Sequence, residues 1–127
     1  METTTMVKAV PGKEHERLGV FVGKWRTEGQ TIAGADAPAV QIVSSDIYEW
    51  LPGNFFVVHR WDSTIGDVKA AGIEIIGYDA AHGTYRTHFF DNDGNAGSEE
   101  LTARDRTWMW IGKQVMGSEW HRCTSVV

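Results

Sequence analysis

The sequence predicts an all-β protein, an antiparallel barrel of about eight strands with one short helix near its N-terminus. Three observations predict it. After Gly23 the apolar residues stop recurring every three to four positions and begin to alternate. The alternating stretches are short and separated by turn-formers: "AGADAP", "PGN", "DAAHG", "NDGN", "RD" and "GK". Six tryptophans in 127 residues are many for a surface, so they belong to a core or to the wall of a cavity.

Residues 1–10 read as a flexible leader and 11–127 as one domain. Pro11 suits a helix start, and Glu14 and Glu16 favour the positive end of the helix. Leu18, Phe21 and Val22 make one apolar stripe, which ends near Gly23 and lies across one end of the barrel. Strands are predicted at 24–31, 40–51, 55–62, 68–78, 84–91, 96–103, 106–111 and 114–123. Gly53-Asn54 reads as a two-residue type II′ turn that sets Leu51 opposite Phe56, Trp50 opposite Val57 and Tyr48 opposite His59. Asp93-Gly94 reads as a type I′ turn that sets Phe90 opposite Gly97, His88 opposite Glu99 and Arg86 opposite Leu101.

Composition excludes several roles. The net charge is −5 and the basic residues are scattered, so no basic face is available for nucleic acid. The longest apolar runs are a few residues, too short to span a membrane, and "METTTMVKAV" lacks the apolar core of a secretory signal. Cys123 is the only cysteine, which rules out an intrachain disulfide and fits a cytoplasmic location.

"GKWRTEG" at the first strand, directly after a short helix, resembles the Gly-x-Trp entrance of lipocalin-like barrels, the calycin superfamily. The resemblance implies that Trp25 plugs the closed end and that Gly23 lets the backbone pass the indole. Gly29 is expected to relieve the bend of that strand. With "YEWLPGNFF", "GIEIIGYD" and "HFFDNDGN", the chain is similar to a bacterial family of small lipocalin-like proteins of unassigned function. It is more distantly similar to the nitrobindins, which bind haem. The nitrobindin haem ligand lies on a late strand with no counterpart here, so no cofactor is expected. Relatives continue beyond the equivalent of Val127 with a closing strand, whereas this sequence ends in "HRCTSVV". The expectation is a barrel incompletely closed at its C-terminal edge, where two copies can pair as a homodimer that a charge at Val126 breaks.

Alternation on the first hairpin puts Asp46, Tyr48, Trp50, Val57, His59 and Trp61 on one face, aromatic with a few polar groups, as a ligand pocket is lined. The opposite face carries Glu49 and Arg60, placed to meet as an outer ion pair. On the second hairpin Arg86, His88, Phe90, Glu99 and Leu101 share the inward face, leaving Tyr85, Thr87 and Phe89 outside. Glu74 interrupts the apolar run of "GIEIIGYD" and is placed in the cavity. "DNDGN" has Ala96 and Thr102 where a calcium loop needs glycine and glutamate, and no histidine pair has zinc spacing, so no metal site is expected.

The expected function is binding of a small hydrophobic or aromatic molecule. Tyr48, His59, Glu74, Arg86 and His88 would orient it, and Trp50, Trp61 and Phe90 would wall it. Tyr48 and His59 can alternatively hydrogen-bond each other within a packed core. An alternative function is cofactor-independent acid–base chemistry of cyclase or isomerase type, drawing on His88, Glu99, Tyr48 and His59. A third is a filled barrel that serves assembly.

Overall fold

The computed structural model describes residues 8–113 and 119–125. Helix α1 (Lys13–Arg17) starts after Gly12, whose backbone N–H donates to His15 Nδ1 at 3.0 Å. It tightens into a 3₁₀ turn, Leu18–Phe21. Leu18 and Phe21 of the expected stripe are buried, but Val22 is 39% exposed because the chain is already extending into the first strand.

Eight strands follow as one antiparallel meander. They are β1 (Gly23–Gln30), β2 (Gln41–Trp50), β3 (Phe56–Ile65), β4 (Val68–Asp79), β5 (Thr84–Asp91), β6 (Ala96–Arg104), β7 (Thr107–Lys113) and β8 (Glu119–Ser125). Each strand pairs with its neighbours in sequence, so the curled sheet stays open between β1 and β8. This is the predicted incompletely closed all-β architecture with a short N-terminal helix. Val126, the leader through residue 7 and the expected strand residues 114–118 lie outside the described residues.

The first hairpin has the predicted register, with Trp50 opposite Val57 and Tyr48 opposite His59. Its turn differs from the expected type. Asn54 N–H donates to the Leu51 carbonyl, so Pro52 and Gly53 are the central pair. Gly53 has φ 106° and Asn54 φ 62°. Pro followed by a positive-φ Gly is the pattern of a type II turn. On the outer face Arg60 reaches Glu49 at 3.8 Å, the expected ion pair.

The second hairpin does not have the predicted register. The Asp91 N–H donates to the Asn95 carbonyl and Gly94 takes φ 82°, so three residues form the loop rather than two. Phe90 therefore faces Ala96, His88 faces Ser98, Thr87 faces Glu99 and Tyr85 faces Leu101. Because side chains alternate along a strand, this slip of one residue turns every β5 side chain to the other face. Tyr85, Thr87 and Phe89 point inward; Arg86, His88 and Phe90 point outward.

The packed core occupies the helix end of the inner face. Leu18 and Phe21 meet Val57, Ile76, Tyr85, Leu101, Trp108 and Trp110. Burying that much aromatic and branched surface is the main stabilising contribution here. Three polar contacts pin the helix over it. Tyr85 Oη donates to the Glu14 carbonyl at 2.7 Å, Arg17 donates to the Asp105 carbonyl at 2.7 Å, and the Arg17 guanidinium lies over the Trp108 ring.

Trp25 does not plug this end. It is 47% exposed, and its indole N–H donates to the Phe21 carbonyl at 2.8 Å. The plug is the pair Leu18 and Phe21. Gly23 is required for its backbone rather than for room beside the indole. Its φ is +143°, while an added Cβ would lie an ordinary 3.9 Å from the Trp25 nitrogen. Gly29 would meet nothing within 4 Å, so the expected strand-bend role has no steric basis. Gly23→Ala is expected to lower stability by about 1–3 kcal/mol through backbone strain. Gly29→Ala should stay within about 0.5 kcal/mol of the parent. Urea unfolding of both variants checks this.

Candidate functional site

Moving along the inner face away from the helix, the side chains change character in layers. The apolar layer of Val57, Ile76, Tyr85 and Leu101 gives way to His59, Glu74 and Glu99, which are 4%, 2% and 5% exposed. Strand alternation produces this layer, because each polar residue lies two positions beyond a core residue on β3, β4 and β6. Beyond the layer the sheet opens.

Buried charges are stable only when paired and hydrogen-bonded. His59 and Glu74 lie directly opposite on β3 and β4, and His59 Nδ1 is 3.0 Å from Glu74 Oε1. Asp46, diagonal to His59 on β2, brings Oδ1 to 2.7 Å from Nε2. A protonated ring donates an N–H to each carboxylate. Ser63 Oγ donates to Ser44 Oγ at 2.7 Å, and Ser44 donates to Asp46 Oδ2 at 2.9 Å, so the network spans β2, β3 and β4. Burial alone would push the imidazole pKa down. The hydrogen bonds to Asp46 and Glu74, with their charges, outweigh it and raise His59 above its ordinary value of 6.5.

The ring is also held face-on. Tyr48 stacks on His59 at 3.9 Å and 7°, and Phe21 stacks on Tyr48 at 5.6 Å. The alternative of a Tyr48–His59 hydrogen bond gives way to stacking, because both ring nitrogens face carboxylates.

Above the polar layer lies a half-open hollow of about 350 Å³. Trp61 and Phe89 supply aromatic wall, Ile42 and Ile65 aliphatic wall, and Ser63 and Ala70 the small gaps between them. Two glycines set the aromatic positions. Trp61 faces Gly72 across β3 and β4, where a Cβ would overlap the indole and the Phe90 carbonyl oxygen. Phe89 faces Gly97, whose added Cβ would lie 3.0 Å from the ring. A strand glycine thus marks where a neighbouring group lies close against the backbone.

The structure brings His59, Trp61, Glu74 and Glu99 to the hollow. Tyr48 and Trp50 pack on the core side of the layer instead. Three expected site residues are elsewhere. His88 is exposed on the outer face, Phe90 is 51% exposed there, and Arg86 lies 3.6 Å from Asp79. The cause is the extra loop residue after β5, and it also removes the expected His88–Glu99 pair. Sequence reasoning placed Asp46 on the pocket face without naming it a site residue, and assigned no site role to Ser44, Ser63, Phe89 or Asp91. Counting by twos from His59 and Asp46 would have reached the two serines. Phe89 and Asp91 required the loop length. Asp91 braces its hairpin, and the Asn95 side chain, then the backbone N–H groups of Asn95 and Asp93, hold its carboxyl below the usual range.

Among the described residues no three His, Cys, Asp or Glu side chains converge as metal ligands would. Nor is any helix among them long and apolar enough to cross a membrane.

The model of a family described as "Protein of unknown function (DUF1579)" matches residues 10–101. This chain belongs to the DUF1579 family. No curated protein matches it. The part matched to DUF1579 carries the helix, Asp46, His59, Glu74 and Glu99, while Trp108 and Trp110 of the core lie beyond it.

The raised His59 pKa has a definite consequence for stability. A group whose pKa rises on folding contributes its full stabilisation below its unfolded value, about pH 6.5, and loses it as pH climbs through the folded value. The melting temperature should therefore fall as pH is raised from about 6 to about 9. In His59→Gln this decline should be smaller. Circular dichroism melts across that range check it; equal slopes in the two proteins would remove the bridge from the explanation.

Proposed function

We propose that this DUF1579 protein binds a small molecule with an aromatic or apolar body in the hollow above the His59 layer. The observation that carries the reading is an aromatic-walled space of about 350 Å³ with buried polar groups at its base. Ligand pockets combine these features, and the volume lies at the small end of their range of about 300–1,000 Å³. The Trp61 and Phe89 faces suit a planar group, and Ser63 and the carboxylates offer orienting hydrogen bonds. A curled meander with a helix across one end is compatible with a lipocalin-like architecture, which agrees with the container role.

The acid–base alternative draws its support from the same histidine, in a different form from that expected. Both His59 nitrogens already face carboxylates, so the ring cannot meet a substrate directly. Proton transfer would have to pass through Asp46 or Glu74, with His59 setting their charge. Binding needs no such relay and is the better supported reading.

Titration with the neutral fluorophore phenyl-naphthylamine should quench tryptophan emission, since Trp61 lines the space. Ala70→Trp, which fills the hollow, should weaken the probe by roughly tenfold or more while the protein remains folded by circular dichroism. Unchanged affinity in that variant would mean that the probe sits elsewhere and that the hollow is not the site.

A further inference from the structure

Strand β1 is an edge of the open sheet and pairs with β2 alone among the described residues. Just beyond it the Thr31 N–H donates to the Val40 carbonyl, in the same register as the β1–β2 pairs. Antiparallel ladders alternate, so the backbone groups of Trp25, Thr27 and Gly29 also point toward β2. Those of Lys24, Arg26, Glu28 and Gln30 point out from the sheet, a template for another strand. Charged side chains on an edge strand usually oppose such pairing. Here the charges have opposite signs two residues apart, Arg26 and Glu28 meeting at 3.0 Å on the exposed outer face.

The inner face of β1 carries an independent mark. Gly72, Gly77 and Gly97 each lie directly opposite an aromatic residue, Trp61, Phe56 and Phe89, whose ring crowds the place of a Cβ. Gly29 is also a strand glycine, which weakens a strand unless something lies against it. An added Cβ there would meet nothing within 4 Å. The aromatic residue of the same strand, Trp25, lies opposite Asp46 on the inner face and is 47% exposed. One chain thus holds an uncovered indole and an unoccupied seat for one, four residues apart.

We propose that two copies of this chain join their sheets through β1, antiparallel about a twofold axis at Thr27. In that register Thr27 faces Thr27 of the second copy, Arg26 faces Glu28, Lys24 faces Gln30 and Trp25 faces Gly29. The outward backbone groups of Lys24, Arg26, Glu28 and Gln30 become the hydrogen-bonded pairs, so the ladder continues unbroken. Charge selects this axis. Moving it to Arg26 or to Glu28 would set that residue opposite its own copy, and like charges directly opposite destabilise a strand pair. The pairing edge is therefore β1, not the C-terminal edge expected from the sequence.

Sedimentation of the full chain should show a dimer at about 100 μM that dissociates by about 1 μM. Arg26→Glu and Glu28→Arg each set like charges opposite one another twice across the axis and should weaken association at least about tenfold. An equimolar mixture of the two variants should restore it, because every facing pair is then opposite in sign. Both side chains are exposed, so each variant should keep the parent's circular dichroism spectrum. In a Cys123→Ser background, Thr27→Cys should cross-link two chains on mild oxidation, since the two positions face each other within disulfide reach. Glu28→Cys, which faces Arg26, should not. Should a charge variant fail to fold, this pair of cysteine variants still decides the register. A parent that is monomeric at about 100 μM overturns the proposal. So does a dimer that withstands both charge reversals, a mixture that does not reassociate, or growth beyond the dimer, the product of head-to-tail pairing of β1 with β8.

Discussion

The structure depends on one buried imidazole held between two carboxylates. His59 ties β2, β3 and β4 together through Asp46 and Glu74. The bridge makes strand register a matter of charge as well as of apolar pattern. A slip of one residue between β3 and β4 would turn one partner outward and leave the other buried without it, at a cost of several kcal/mol. Apolar side chains alone specify register less sharply, since one branched residue can often replace another.

The bridge also divides the inner face. On the helix side, Leu18, Phe21 and the Trp108 and Trp110 rings fill the space. On the other side, the polar layer and the serines beyond it cannot close over an apolar core, so the sheet stays open and a hollow remains. The aromatic series Phe21, Tyr48, His59 and Trp61 runs from one region to the other, each ring touching or facing the next. Through it the helix, the core and the hollow share one mechanical support. Gly72 and Gly97 then give Trp61 and Phe89 room to lie against the sheet as walls.

Much of this was legible in the residues. Alternation and turn chemistry predicted the antiparallel strands, the Tyr48–His59 register and the Glu49–Arg60 pair, helical spacing predicted the helix, and the open edge was an expectation from the family resemblance. Glu74 was placed inward because a carboxylate in an apolar run needs a polar setting. What could not be read was loop length at "DNDGN". Two-residue and three-residue loops both use Asp and Gly there, and the choice reverses which of His88 and Thr87 faces inward. The histidine–carboxylate pair was therefore expected on the wrong hairpin. The His59–Glu74 contact joins residues from two different hairpins, so neither turn by itself predicts it. Trp25 was misplaced for a different reason. A resemblance at a strand entrance carries the local Gly-x-Trp backbone but not the depth at which the indole ends up when the sheet does not close.

The most direct test is nitrogen NMR of isotope-labelled His59. If the ring is clamped between Asp46 and Glu74, both nitrogens still carry protons in most molecules at pH 6.5, the ordinary imidazole value. Both protons resonate far downfield, and the ring loses its second proton above the ordinary imidazole value of 6.5. A ring with one bare nitrogen near pH 6.5, titrating like a free histidine, would contradict the account.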